Sequence, residues 1–487
     1  MTGRESLAVA VLVTPPLGIL AAVVTPERLL ARVETAIACL TAVAAAVIAT
    51  VALVEPSERE LGRWIVLDPA GGVLLGVIGA IGLTSALVSV QYLRERRSSL
   101  FRTAWADRIY WATLFAFWTV LLAVPLAGNL GAAWLAIEAT TAASALLVGF
   151  SGRARALEAG WKYLILTSLG LGIALLGMLV LEGSAGGGGI ESLTWRSLPQ
   201  ATLDPETTVV AYVLLLGGLA AKIGWAPVHN WLPDAHSEAP APISALLSAA
   251  LLPAVLLVAW RTQQALAPTI GVRTAGGVLV GFGLASLAVA VPFLWRSQAW
   301  KRLLAYSSLE HMGVIALGIG FGTPLALAGV AVHIAAHAVA KATGFYAATP
   351  LIAHEPRATE RAVTGIARTF PALGSVMGIS LGALAGLPPS PLFFSEVLIV
   401  AGGFEAGRSW AAGATAFLLA LGFLGLAHAL LETTVGKARR RDATQRRERR
   451  TVAALGGLSL ALLLGLSAAA LWLPGSSFVA ALLEGLS

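Results

Sequence analysis

Long apolar runs recur along the chain, separated by short stretches where charge and proline gather. A helix that crosses a bilayer needs about 20 mostly apolar residues. Runs of that size fall near 6–24, 33–54, 70–93, 109–127, 129–150, 161–182, 207–226, 242–261, 275–295, 303–321, 325–352, 370–403, 411–434 and 453–473. The pattern predicts an all-α integral membrane protein of about fourteen transmembrane helices. The seventh and twelfth runs are interrupted and predict discontinuous helices. The first run is read as a retained span, because Arg4 is the only basic residue near it and no A-x-A site ends it.

Composition strengthens this picture. Of 487 residues, 57% are hydrophobic and 12% charged, with a mean hydropathy of +0.81. Soluble domains carry about 25% charge, so lipid is the expected solvent. Cys39 is the single cysteine, which excludes an internal disulfide, a thiolate iron–sulfur site and a cysteine zinc site. There is no G-x-G-x-x-G between a strand and a helix. No cofactor and no metal is expected on this chain, and any redox chemistry is expected on other chains.

The net charge of +7 changes the picture only through its distribution. Cytoplasmic loops are enriched in Lys and Arg. The connections after odd-numbered runs hold 24 of the 33 basic residues, among them Arg28, Arg32, Arg94, Arg96, Arg97, Arg102, Arg108 and the run from Lys437 to Arg450. The opposite side has Arg4, Arg59, Arg63, Arg196, Arg261, Arg273 and Arg408. This alternation predicts an even number of spans with both termini outside. Basic residues spread over so many turns are loop anchors, so nucleic acid is not an expected partner. The 437–450 run suits anionic lipid headgroups or an acidic partner.

Ionisable groups stand inside the apolar runs: Glu138, Lys222, Glu310, His311, His333, His337, Lys341, Glu396, His428 and Glu432. A charge at mid-bilayer costs about 2.5–3.5 kcal/mol on the insertion scale. One buried pair can fix helix register; this many, of both signs, reads as a polar path through a bundle. Histidine exchanges protons near neutral pH, and burial brings the charged and neutral forms of lysine and glutamate closer in free energy. These are the residue types that a proton relay requires.

Three local patterns sharpen the reading. In LAAKIGWAPVHNWLPDAHSEAP, Pro227 cannot donate to residue 223, so the helix is expected to break just after Lys222, with His229 beyond the break. Unwound backbone at membrane depth is tolerated only where protein buries it or where it lines a cavity. In VHIAAHAVAKATGF, the spacing of four puts His333, His337 and Lys341 on one helical face; a haem would instead need facing ligands from separate helices. In LAGLPPSPLFFSEVL, Pro388, Pro389 and Pro391 break the twelfth run and Glu396 follows on a half-helix. Interrupted helices in both halves suggest an internal repeat with sites at the breaks. Glu138 has no cation within helical reach, and Lys222 is its expected partner across helices. Glu432, near a helix end, can reach the interface by snorkelling.

The stretches KYLILTSLG, KIGWAPVHNWLPDAHSEAPAPISALLS, KRLLAYSSLEHMG and SPLFFSEVLIV resemble the antiporter-like family of membrane subunits. That family includes the large proton-pumping subunits of respiratory complex I, subunits of multisubunit sodium/proton antiporters, and membrane arms of energy-conserving hydrogenases. Within it, EATTAASALLVGF, ALEAGWKYLILTSLG and YSSLEHMG look most like the F component of hydrogenase-4-type complexes. The resemblance covers roughly residues 60–435. It implies two inverted five-helix repeats: residues 1–108 hold helices 1–3, 109–261 the first repeat, 262–436 the second, and 437–487 a basic loop and helix 14. It also implies a carboxylate–lysine pair at Glu138 and Lys222, with later relay positions at Lys341 and Glu396. Two positions depart from the family. Pro253 stands in the eighth span where many members carry lysine, and Ala299 stands where aspartate is common.

The expected function is therefore a proton-translocating subunit of a redox-driven complex, hydrogenase-4-like or NADH:quinone oxidoreductase-like, in a bacterial-type cell membrane. Its expected relay residues are Glu138, Lys222, His229, Glu310, His333, His337, Lys341, Glu396 and His428. Its expected partners are other membrane subunits, the lipid bilayer and, indirectly, a soluble hydrogenase or dehydrogenase arm. The alternatives are a subunit of a sodium/proton antiporter, or the proton-channel partner of a soluble bicarbonate-accumulating enzyme.

Overall fold

The computed structural model describes residues 3–54, 59–61, 63–96, 104–189, 193–296, 298–437 and 450–472. Its helices are α1 (Gly3–Val24), α2 (Glu27–Val54), α3 (Pro69–Arg96), α4 (Ala104–Leu126), α5 (Leu130–Val148), α6 (Ala154–Ser184), α7 (Pro205–Ile223), α8 (Leu232–Glu238), α9 (Ala241–Leu246), α10 (Leu252–Ile270), α11 (Val272–Leu294), α12 (Trp300–Phe321), α13 (Pro324–His354), α14 (Ile366–Thr369), α15 (Pro371–Leu384), α16 (Pro391–Glu405), α17 (Ser409–Val435) and α18 (Arg450–Trp472). A two-stranded antiparallel ribbon, β1 (Arg59–Leu61) with β2 (Ile65–Leu67), links α2 to α3. The apolar pattern gave no sign of this ribbon.

Among the described residues, thirteen segments are long and apolar enough to cross a membrane, with Ala241–Ile270 counting as one. The half-helices α15 and α16 make the remaining crossing. The protein is therefore a multi-span membrane protein. Its middle is formed by Ala241–Ile270 and α12, whose apolar windows are wholly buried, whereas α17 and α18 bury 22% of theirs. The outer helices show large apolar side chains such as Leu169, Trp410 and Phe417 to the surroundings, as lipid contact requires.

Both predicted breaks are present, with causes partly different from those expected. The seventh span stops at Gly224, one turn before the proline. Gly224 is left-handed (φ 81°) and its N–H closes onto Ala220 O at 2.8 Å, a helix stop that glycine adopts without a Cβ penalty. The freed segment is satisfied from the other half of the molecule: Trp225 Nε1 donates to Met312 O (3.0 Å) and Ala226 N to Ser286 Oγ (3.1 Å). In the twelfth span α15 ends at Leu384 and Gly386 is left-handed (φ 69°). Pro388 and Pro389 lie in the gap, whereas Pro391 starts α16 behind Ser390, whose Oγ accepts from Leu392 N at 3.2 Å. Pro391 thus opens a helix, where its missing N–H costs nothing.

The eighth span carries a wide turn. Leu247–Leu251 is π-helical, directly before Pro253 in α10. Proline has no N–H for the carbonyl four residues back, and the helix widens there. Of the basic residues expected in connections, Arg28 and Arg32 lie in α2, Arg94 and Arg96 in α3, and Arg108 in α4, rather than in loops. Arg261 departs from its expected place more strongly. It is not an outer loop anchor: α10 runs on to Ile270, and Arg261 is buried within it against Asp68 at 2.6 Å. The basic positions Arg97, Arg102 and 438–449 lie outside the described residues. Cys39 is exposed on α2.

Candidate functional site

Helices α5, α6 and α7 assemble the first polar cluster. Lys222 is fully buried in the last turn of α7. Its Nζ donates to Thr141 Oγ1 (2.7 Å) and Tyr163 OH (2.5 Å), and lies 4.6 Å from the centre of the Tyr163 ring. Tyr163 OH also meets Ser144 Oγ at 2.7 Å. Glu138 lies one turn before Thr141 on α5, half-buried, and accepts from Ser168 Oγ at 2.7 Å. The expected Glu138–Lys222 contact is therefore not a direct ion pair. Thr141 and Tyr163 occupy the amine, and Ser168 holds the carboxylate. Neutral hydroxyls support an ammonium or an amine alike, because each can accept or donate.

The short helix α8 follows the break and carries His236, fully buried, with neither ring nitrogen partnered. His236 lies between the two halves: its ring is 6.4 Å from Trp231, which packs 4.8 Å from Tyr163, and 5.5 Å from Phe345 on α13. Ion pairs hold α8 on both sides. Asp234 meets Lys162 of α6 (3.4 Å) and Arg302 of α12 (3.2 Å), and Glu238 meets Arg153 (3.1 Å). Lys301 of α12 donates to Ser237 O at 2.9 Å and to Ala239 O, closing the C-terminal end of α8. Sequence reasoning missed His236, although it lies inside the motif that identified the break. A lone histidine among polar loop residues gives no sign of burial.

The second cluster lies between α12, α13 and α16. Lys341 is fully buried and donates to Leu304 O (2.5 Å) and Ser307 Oγ. Ser308, beside Ser307, meets Ser248 of the π-helical turn at 2.8 Å. This contact bridges the eighth and tenth spans close to Pro253. His311 Nδ1 meets His333 Nε2 at 3.0 Å, and His333 Nδ1 meets Ser395 Oγ at 2.9 Å. The His337 ring is 5.3 Å from that of His311, and both its nitrogens lack partners. The stripe of His333, His337 and Lys341 thus faces α12, as its spacing predicts. Glu310 is buried against Gly422 of α17, where any Cβ would collide with its carboxylate. Glu396, half-buried on α16, has a carboxylate oxygen within 4.8 Å of both His311 and His333.

Two expected positions fall outside these clusters. His428 is exposed on α17, so it does not join the row. Its neighbours in the sequence are apolar, and depth in a span did not reveal which face it takes. His229 is half-buried in the segment between α7 and α8, and no hydrogen bond links its ring to either cluster among the described residues.

Residues 127–422 match the family described as NADH:quinone oxidoreductase/Mrp antiporter, TM. The hydrogenase-4 component F homolog of Methylacidiphilum infernorum is 33% identical over 389 residues, 78% of this chain and 80% of the relative. NADH-quinone oxidoreductase subunit N of Desulforudis audaxviator is 30% identical over 390 residues, 76% of this chain and 74% of the relative. Among solved structures, a chain of the Mrp complex from Dietzia sp. DQ12-45-1b superposes with a TM-score of 0.81 at 21% identity, covering 99% of this chain and all of that one. The match over the broken helices and both polar clusters, together with the 33% identical relative, places the chain in the NADH:quinone oxidoreductase/Mrp antiporter family of transmembrane subunits.

Proposed function

We propose that this chain moves protons across a bacterial-type plasma membrane as one membrane subunit of a redox-driven complex. The observation that carries this reading is the row of buried and half-buried titratable groups between the two breaks. Glu138 and Lys222 stand at one end; His236 lies in the middle; Lys341, His337, His311, His333, Glu310 and Glu396 stand at the other. Hydroxyls of Thr141, Tyr163, Ser144, Ser307 and Ser395 stand between them. Keeping so many ionisable groups inside a bilayer is expensive, and such groups line transport paths.

The redox arm would lie on other chains, a soluble hydrogenase or dehydrogenase, as the names of the relatives suggest. Both termini outside fits the excess of basic residues on the opposite side. Lys222→Ala or Glu138→Ala should leave assembly intact and abolish proton pumping in inverted vesicles. Preserved pumping in either variant would refute the mechanism. The family description also names an antiporter, so sodium/proton exchange is the second reading. A pH change that needs sodium would select it.

A further inference from the structure

The hydrogen bonds around His333 fix which of its nitrogens carries a proton. Ser395 Oγ donates to Leu392 O at 2.8 Å, so its oxygen is left to accept from His333 Nδ1–H at 2.9 Å. In neutral His333, Nε2 then presents a lone pair, and His311 Nδ1–H fills it at 3.0 Å. His311 Nε2 is buried and makes no well-formed hydrogen bond, and the backbone of Leu384 lies beside the ring. The third group is the Glu396 carboxylate: one ligand atom from each of His311, His333 and Glu396 lies within 4.8 Å of the others.

These are the donors of a three-ligand transition-metal centre. Two nitrogens each about 2.0 Å from a tetrahedral Zn²⁺ lie about 3.3 Å apart, close to the separation already present. Imidazole nitrogens select zinc-like cations over sodium or magnesium, which prefer oxygen. Ser395 supplies the outer hydrogen bond that orients a ligating histidine. Glu396 is only half-buried, so the triad is open on one side.

We propose that His311, His333 and Glu396 form a binding site for a divalent transition cation of the Zn²⁺ class, and that filling it blocks proton movement along the α12–α13 row. The blocking half of this proposal rests on the function proposed above; the binding half does not. On binding, the N–H bond at His311 Nδ1 and its hydrogen bond to His333 are broken and an N–H bond forms at His311 Nε2. Glu396 releases any proton it carries to the bulk, and the new bonds run from the cation to His311 Nδ1, His333 Nε2 and the carboxylate. With the cation in place, the direct hydrogen bond between the α12 and α13 imidazoles no longer carries a proton.

The test measures binding and transport separately on the full chain. Equilibrium dialysis with Zn²⁺ and visible spectroscopy with Co²⁺ should show one tight site of tetrahedral type in detergent-purified protein. His333→Ala and Glu396→Gln should lose it. Ser395→Ala, which keeps all three ligands, should weaken it on the order of 10- to 100-fold. In inverted vesicles that hold the whole complex, Zn²⁺ should slow proton flux with the parent protein at the concentration that fills the site. Ser395→Ala removes one hydroxyl of the row, so its response is read against its own zinc-free flux, and the concentration that halves that flux should be correspondingly higher. No stoichiometric binding, or binding unchanged in Glu396→Gln and Ser395→Ala, overturns the site. Binding as expected with flux indifferent to Zn²⁺ overturns the block. Binding as expected with no proton flux in any form upholds the site and overturns the proposed function instead.

Discussion

The hydroxyl of Tyr163 stands between the amine of Lys222, at 2.5 Å, and the hydroxyl of Ser144, at 2.7 Å. It therefore passes a hydrogen-bonded chain from α7 through α6 back to α5. Tyr163→Phe keeps the ring, its packing against Trp231 and the cation–π contact, and removes only this link. A hydrogen bond to a charged group contributes about 1.5–3 kcal/mol. Proton flux per folded molecule should fall on the order of tenfold or more, and the melting temperature should drop in keeping with that lost contribution. Flux equal to the parent would show that protons bypass the hydroxyl. A double-mutant cycle with Thr141→Val apportions the two contacts of Lys222.

His236 sits between the two halves of the row, with Trp231 on one side and Phe345 on the other. Its nitrogens have no partners and its ring stacks on Phe345 at an interplanar angle of 29°. His236→Phe preserves the aromatic packing and deletes both nitrogens. The expected outcome is a protein that assembles and melts normally yet translocates protons poorly. A large drop in melting temperature, with flux per folded molecule unchanged, would make His236 a packing residue.

Gly422 provides a test on the opposite side of α12. A methyl at this position would occupy the place of the Glu310 carboxylate. Gly422→Ala should destabilise the protein by about 1–3 kcal/mol, the usual cost of overpacking. Adding Glu310→Ala should relieve most of that loss in detergent melts. Flux should stay low in both, because the carboxylate is displaced in one and absent in the other. Additive melting losses would show that the two positions do not share space.

Much of this architecture was legible because hydropathy is a local property. Each span declares itself by its own residues, and Pro227, Pro388 and Pro389 marked the interruptions. What the chain did not reveal is set by contacts between helices. Glu138 looked like the counter-ion of Lys222, yet Ser168, Thr141 and Tyr163 intervene. These are ordinary polar residues that carry no signal of their own. His428 was placed by depth alone, and depth does not say which face of a helix a residue takes. The π-helical turn at Leu247–Leu251 and the strands flanking residues 62–64 are too short for any periodicity to show.

Arg261 was misread for a further reason, and the contact that explains it yields the last prediction. Its guanidinium lies on Asp68 at 2.6 Å with both side chains almost wholly buried, and donates as well to Pro125 O at 2.9 Å. Asp68 accepts in turn from Gly71 N at 2.5 Å at the start of α3. The pair thereby ties α10 to the start of α3 and the end of α4. Removing one partner of a buried pair leaves an uncompensated charge and costs about 3–5 kcal/mol. Arg261→Leu should therefore melt far below the parent. Arg261→Leu with Asp68→Asn should recover part of the loss, because the buried charge is gone and the amide oxygen can still cap α3. The half-exposed Asp234, which meets both Lys162 and Arg302, offers the control. Screened by solvent, it contributes about 0–1 kcal/mol, so Asp234→Asn should barely move the melting temperature. Equal losses for Arg261→Leu and Asp234→Asn would show that burial does not set the strength of these pairs.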